Sequence, residues 1–207
     1  MATAVKICGI TRVEDALAAA HAGAHAIGLI FAAESPRRVS TAIARKVVEA
    51  LPPFVTPVAL FVDPQAPQVD RVIGEVGPQL LQFHGDEAPD FCVRFGVPYI
   101  KVARVGPGVD LLQYAGRHRA AKGLLLDAFV EGGRGGTGST FDWSLIPANL
   151  PLPLILAGGL DPDNVGDAVR RVRPWAVDVS SGVETAKGIK DAARIAAFIR
   201  GVRDADV

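Results

Sequence analysis

Val5-Lys-Ile-Cys8-Gly-Ile-Thr11-Arg-Val-Glu14 holds the start of one complete folding unit. The run at 5–8 is short and β-branched, as a buried strand requires, and Gly9 and Ile10 follow it. Thr11 and Glu14 then have the spacing of a capping box, which predicts a helix start. That helix should run to about Ala22, where Gly23 can adopt the left-handed terminal conformation. The stretch therefore reads as strand, tight turn, helix.

Working outward, the same unit recurs to the far end of the chain. Further strands are expected at 26–31, 58–62, 80–83, 99–103, 124–127, 154–157 and 176–179. Ser40 is placed to cap a helix that Pro52-Pro53 must end. Other helices are expected near 68–76, 90–95, 109–114 and 191–202, with a short one starting near Trp143. Asp161-Pro162 reads as an N-cap followed by proline at the first helical position, opening a helix through Val172. Eight strand–helix repeats demand parallel pairing with helices covering the sheet. Eight such units can close into a (β/α)8 barrel, at about 26 residues each and so with minimal loops. A doubly wound open sheet is the rival that counting alone leaves open. Nothing in the chain reads as a linker, so residues 1–207 are expected to form a single (β/α)8-barrel domain of the α/β class.

Composition narrows the function. The chain has 207 residues, with 22 Lys+Arg balanced by 22 Asp+Glu, and 49% of it is hydrophobic. No basic stretch is dense enough to neutralise a run of phosphates, so no nucleic-acid partner is expected. No apolar run approaches the roughly 18–20 residues that span a bilayer, so no membrane partner is expected either. The first fifteen residues are interrupted by Lys6, Arg12, Glu14 and Asp15, unlike a signal peptide. Cys8 and Cys92 form no CxxC pair, which points to a reducing, cytoplasmic setting without disulfides or thiolate zinc. The expected partner is a small molecule, and the chain is expected to be a monomer or a homodimer.

Several motifs are weighed and set aside. Gly133-Arg-Gly135-Gly-Thr-Gly138 has the letters of a dinucleotide fingerprint, but it comes late and does not join a first strand to a helix. Ser139 stands where a Walker A loop needs lysine. The glycines read instead as a loop able to close over a ligand. His21 and His25 straddle Gly23, and His118 sits in a basic loop, so no metal site is expected.

Barrel enzymes build their sites at the C-terminal ends of the strands. Those positions hold Cys8, Arg37, His84, Asp127, Gly158-Gly159 and Ser180-Ser181-Gly182. Strands 1 and 6 lie nearly opposite each other on the ring, so Cys8 and Asp127 should face one pocket and move protons on two sides of a substrate. As a base, Cys8 needs its pKa lowered from about 8.5 towards neutrality; otherwise it is an inert buried thiol. As an acid, Asp127 needs burial or negative neighbours; otherwise it is only a turn residue. His84 either lines a ligand or makes a structural hydrogen bond. Glycines ending strands 7 and 8 let backbone N–H groups approach an anion, the arrangement that many barrels use for phosphate.

Taken in order, these segments resemble the phosphoribosylanthranilate isomerase family. The resemblance rests on Val5-Lys-Ile-Cys8-Gly-Ile-Thr11, Ser35-Pro-Arg37, Leu81-Gln-Phe-His84-Gly85 and Leu124-Leu-Leu-Asp127. It continues through Gly135-Gly-Thr-Gly138, Phe141-Asp-Trp143, Ala157-Gly-Gly-Leu160 and Val177-Asp-Val-Ser-Ser-Gly-Val-Glu184. It implies an Amadori rearrangement in tryptophan biosynthesis, with no cofactor and no metal. It further implies Asp127 as general acid, Cys8 as general base and Arg37 on the anthranilate carboxylate. Gly158, Gly159, Ser181 and Gly182 would hold phosphate, and His84 and Asp178 would lie near the substrate. Small departures are Ala128 after the acid, where the family often has a polar residue, and Phe83 between Gln82 and His84. Arg38, Lys101 and Glu184 read as structural charges. Indole-glycerol-phosphate synthase would need a catalytic lysine–glutamate set and a longer N-terminus, and a ribulose-phosphate epimerase would need metal-binding histidines. A non-catalytic phosphate-binding barrel would not need an opposed acid and base.

Overall fold

Alternation along each strand decides which residues face the barrel axis. On β6 (Leu124–Ala128), Leu125 packs inward with Ile100, Val102, Ile155, Ala157 and Ala176, whereas Leu124 and Leu126 pack outward. A period of two therefore turns Asp127 inward, one layer above Leu125. The computed structural model describes residues 2–106, 108–128 and 141–206. The glycine-rich stretch 133–138, with its expected closure over a ligand, lies outside the described residues.

The first half of the chain runs β1 (Ala4–Cys8), α1 (Val13–Ala22), β2 (Ala26–Ile30), α2 (Thr41–Ala50), β3 (Thr56–Phe61), α3 (Ala66–Val76) and β4 (Leu80–Phe83). Then come α4 (Pro89–Val93), β5 (Tyr99–Val105), α5 (Leu111–Arg117), β6, a 3₁₀ turn at Trp143–Leu145 and β7 (Leu154–Leu156). The chain closes with α6 (Val165–Val172), β8 (Ala176–Val179), a 3₁₀ turn (Ser181–Val183), a small hairpin of β9 (Glu184–Ala186) and β10 (Ile189–Lys190), and α7 (Ala192–Ala205). Strands β1 to β8 form a closed barrel in sequence order, with β8 pairing parallel to β1 through Val5 and Val177. The open sheet is excluded. On this ring β1 and β6 are separated by β7 and β8, while β4 stands opposite β8.

Outside the strands, aromatic rings bind sheet to helices. Phe83 is fully buried, with its ring 5.9–6.1 Å from those of Phe61, Phe91, Phe95 and Tyr99. Each such burial contributes on the order of 1.5–3 kcal/mol. Anchoring Phe83 outward also fixes its neighbour Gln82 inward, where it lines the cavity described below. The residue that departs from the family pattern is thus a packing anchor.

Two local expectations need correction. Helix α1 begins after Arg12, not with a Thr11–Glu14 box, because the Thr11 hydroxyl instead donates to the Gly188 carbonyl in the β9–β10 hairpin. Asp161 does not cap α6. Its Oδ1 accepts from the backbone of Asp163 and Asn164 in a turn, and the helix starts only at Val165. The short helix expected to start near Trp143 does start there, as one 3₁₀ turn capped by Asp142, which accepts from Ser144 N. Ser40 caps α2 as expected, accepting from Ile43 N.

Candidate active site

Four inward-facing polar side chains grow from the same rule. Lys6 and Cys8 share a face of β1, and Asp127 and Asp178 occupy the corresponding faces of β6 and β8. All four are less than a tenth exposed. Their upper members open into a cavity of about 450 Å³ at the C-terminal ends of the strands. Cys8, Arg37, His84, Asp127, Gly158, Gly159, Asp178 and Ser181 all line it. Of the residues singled out from the sequence, Gly182 is absent from that lining. A β-carbon there would collide with the carbonyl oxygen of Leu160, so Gly182 lets the β8 loop lie against the β7 loop.

At the β6 rim, Asp127 Oδ1 accepts from Ala128 N at 2.9 Å, and Oδ2 lies 3.2 Å from His84 Nε2. The imidazole lacks the in-line geometry of a hydrogen bond to it, and among the described residues its Nε2 has no other partner. Arg104, paired with Asp127 across β5 and β6, donates to the His84 carbonyl and steadies that turn. Gly158 has φ 81°, and a β-carbon on it would lie 2.6 Å from Ala128 N. The β7 loop therefore approaches the carboxylate closely only because Gly158 has no side chain.

At the β1 rim, the thiol has a basic neighbour that the sequence reading passed over. Lys6 Nζ pairs with Asp178 Oδ1 at 2.9 Å. Burial opposes the Lys6 charge, but Asp178 and Cys8 outweigh it and hold the ammonium above its usual pKa. Cys8 departs from the expected lowering. Burial pushes its thiol up, and the pull of Lys6 and Lys190 only partly offsets this, with Asp178 adding to the rise. The facing residue on β2 is Gly28, where a β-carbon would meet Cys8 Sγ at 2.6 Å and Lys6 Nζ at 3.0 Å. Glycine there makes room for the ammonium and thiol to share one layer.

Arg37 reaches the cavity from the β2–α2 loop, but one edge of its guanidinium is already engaged. Its Nε and Nη2 form a bidentate pair with Glu184, both at 2.8 Å, and Lys190 Nζ meets the same carboxylate at 2.8 Å. Such forks fix orientation as well as charge. Glu184 is thus the residue that aims Arg37, rather than an incidental charge. Lys101 is likewise not incidental. Fully buried, it donates to the Gly85 carbonyl and pairs with Glu87 beneath the turn that carries His84. Signals were present for two of the missed residues, both on the inward faces of their strands. Lys6 interrupts an apolar strand two places before Cys8, and Gln82 does so two places before His84.

A closed parallel barrel whose strand ends gather a thiol, a carboxyl and an imidazole around one cavity defines a (β/α)8-barrel enzyme able to move protons on a small molecule. Residues 5–201 match the family described as N-(5'phosphoribosyl)anthranilate (PRA) isomerase. The chain belongs to this family and is an isomerase of tryptophan biosynthesis. It is 62% identical to the N-(5'-phosphoribosyl)anthranilate isomerase of Nitrosospira multiformis, over 98% of this chain and 97% of that protein. A crystal structure of phosphoribosyl anthranilate isomerase in complex with reduced 1-(o-carboxyphenylamino)-1-deoxyribulose 5-phosphate superposes with a TM-score of 0.85 at 38% identity. That comparison covers 98% of this chain and 99% of that one. Monomers generated from the dimeric enzyme of Thermotoga maritima superpose with a TM-score of 0.85 at 36% identity, with the same coverage.

Among the described residues, no helix is long and apolar enough to cross a membrane. Among them, too, no three His, Cys, Asp or Glu side chains cluster as metal ligands.

Proposed function

We propose that the cavity converts N-(5-phosphoribosyl)anthranilate to 1-(2-carboxyphenylamino)-1-deoxyribulose 5-phosphate, with Asp127 as general acid and Cys8 as general base. The observation that carries this reading is that thiol and carboxyl open into one cavity from different strands. Asp127 gives its proton to the furanose ring oxygen as the bond from that oxygen to C1′ breaks. The anilino nitrogen lone pair then forms the C1′=N iminium. Cys8, as thiolate, removes the C2′ proton, and the C–H electrons become the C1′=C2′ bond of an enolamine while the iminium collapses to an amine. Loss of the enol proton and protonation at C1′ give the ketone. An iminium acidifies the neighbouring C–H and so lowers the demand on the base. The buried thiol reaches its anionic form with help from the Lys6 and Lys190 charges, and the iminium adds a third.

The free edge of Arg37 receives the anthranilate carboxylate, with Glu184 holding the other edge. The phosphate lies against Gly158, Gly159 and Ser181, where backbone N–H groups can approach an anion. His84 supports Asp127, and the Asp178 oxygen not paired with Lys6 is left for the sugar. No cofactor, metal or nucleic acid takes part, and the setting is cytoplasmic, in keeping with two free buried cysteines. Of the two expected states, monomer and homodimer, the dimeric relative from Thermotoga maritima favours the homodimer.

The test is an assay with freshly generated substrate, following the loss of anthranilate-type fluorescence. Cys8→Ser and Asp127→Asn should each lower kcat by orders of magnitude with Tm unchanged, as expected for groups that act only in proton transfer. Full activity in either variant would overturn the assignment.

A further inference from the structure

Gln82 is fully buried on the inward face of β4, and among the described residues neither Oε1 nor Nε2 of its carboxamide has a hydrogen-bond partner. It lines the same cavity as Cys8 and Asp127. Among the other lining side chains, Ile30, Leu60 and Leu125 offer it no polar atom. A buried amide left unpaired costs stability that an apolar side chain of equal size would not, so its retention calls for a partner that arrives with the ligand. Among the described residues, Tyr99, His118 and Trp143 also carry buried unpartnered groups but do not line this cavity, and His84 Nε2, which does, already faces the Asp127 carboxylate.

We infer that Gln82 is a specificity-determining residue that hydrogen-bonds a secondary hydroxyl of the substrate's ribosyl group. The inference rests on the substrate orientation given under Proposed function. There the two charged ends of the substrate go to Arg37 and to the β7 and β8 loops. Gln82 lies on β4, across the ring from β8. It therefore meets the neutral middle of the substrate, where the polar groups are hydroxyls. A carboxamide offers one acceptor and two donors, and a hydroxyl both donates and accepts. The match requires no charge, so the neutral carboxamide does not compete with the acid–base pair.

The experiment pairs stability with discrimination. Gln82→Met keeps the volume and removes the amide, and Gln82→Leu serves as a second variant with the same expectations. Tm should hold or rise, while kcat/KM falls about tenfold or more. Calorimetric titration then compares reduced 1-(2-carboxyphenylamino)-1-deoxyribulose 5-phosphate with 5-(2-carboxyphenylamino)pentyl phosphate, which lacks the secondary hydroxyls. The wild-type protein should favour the hydroxylated ligand, and each variant should lose about tenfold of that preference. A lowered Tm with unchanged kcat/KM, or an unchanged preference, would overturn the inference by making Gln82 structural. Failure of the wild-type protein to bind either ligand would sink the underlying orientation first, and this inference with it.

Discussion

Glu184 and His118 show how single buried groups set opposite demands on pH. Burial works against the Glu184 carboxylate, yet Arg37 and Lys190 together hold its pKa below the usual range. A depressed carboxylate pKa contributes stability that is present above the unfolded value near 4.3 and lost as pH falls through the folded one. The urea midpoint of the wild-type protein should therefore drop more steeply below about pH 4.3 than that of Glu184→Gln. The same variant frees the Arg37 fork, and KM should rise more than kcat falls. His118 is buried against Tyr114, with ring centroids 5.1 Å apart, and burial with the Lys101 and Arg117 charges lowers it to about 4. The unfolded chain takes up that proton near 6.5, so the group subtracts stability as pH falls from 6.5 towards 4. His118→Phe should remove this loss, read as a smaller change in urea midpoint between pH 7 and pH 4.5. An equal change in both proteins would show that His118 is not responsible.

At the scale of elements, the β4–α4 turn is built from beneath. Lys101 points outward from β5, is fully buried, and donates to Gly85 O at 2.6 Å and to Glu87 Oε2 at 2.8 Å. Glu87 in turn accepts from the backbone of Gly85 and Asp63. Removing one partner of such a pair strands a buried charge, so Lys101→Met should cost about 3–5 kcal/mol. Adding Glu87→Gln should recover part of that loss, and equal additive losses in guanidinium unfolding would deny the coupling. None of this clamp could be read in advance, because a lone lysine in an apolar run looks the same whichever face it takes. Strand ends were legible: Cys8, His84 and Asp127 each close an apolar run, and eight runs in βα alternation imply the ring that brings them together. Helix starts were less so. Thr11 and Asp161 carry the right capping chemistry, but tertiary partners or local turns claim their oxygens.

At the scale of the whole molecule, the two ends of the barrel differ in what they expose. The cavity lined by Cys8 and Asp127 opens at the C-terminal ends of the strands, and the least comfortable side chain lies at the other end. Phe54, in the α2–β3 connection, is 98% exposed with φ 70°. A bulky residue in the left-handed region carries backbone strain, and its ring gains nothing from packing within the chain. Trp175, just before β8, is half exposed at the same end, beside a cavity of about 890 Å³ that Thr3 and Leu154 also line. Two exposed aromatics at one end of the barrel, with a hollow beside Trp175, would suit a self-complementary contact in which the Phe54 ring of each copy enters the other's hollow under two-fold symmetry. Phe54→Glu should then halve the mass measured by light scattering, since a carboxylate cannot enter such a hollow without its hydration. Because the active cavity lies at the opposite rim, kcat should stay within about twofold while Tm falls, as expected when subunit association no longer adds to stability. A wild-type protein that runs as a monomer at micromolar concentration, or a variant that remains dimeric, would remove the N-terminal face from the account and leave the strain at Phe54 without a function.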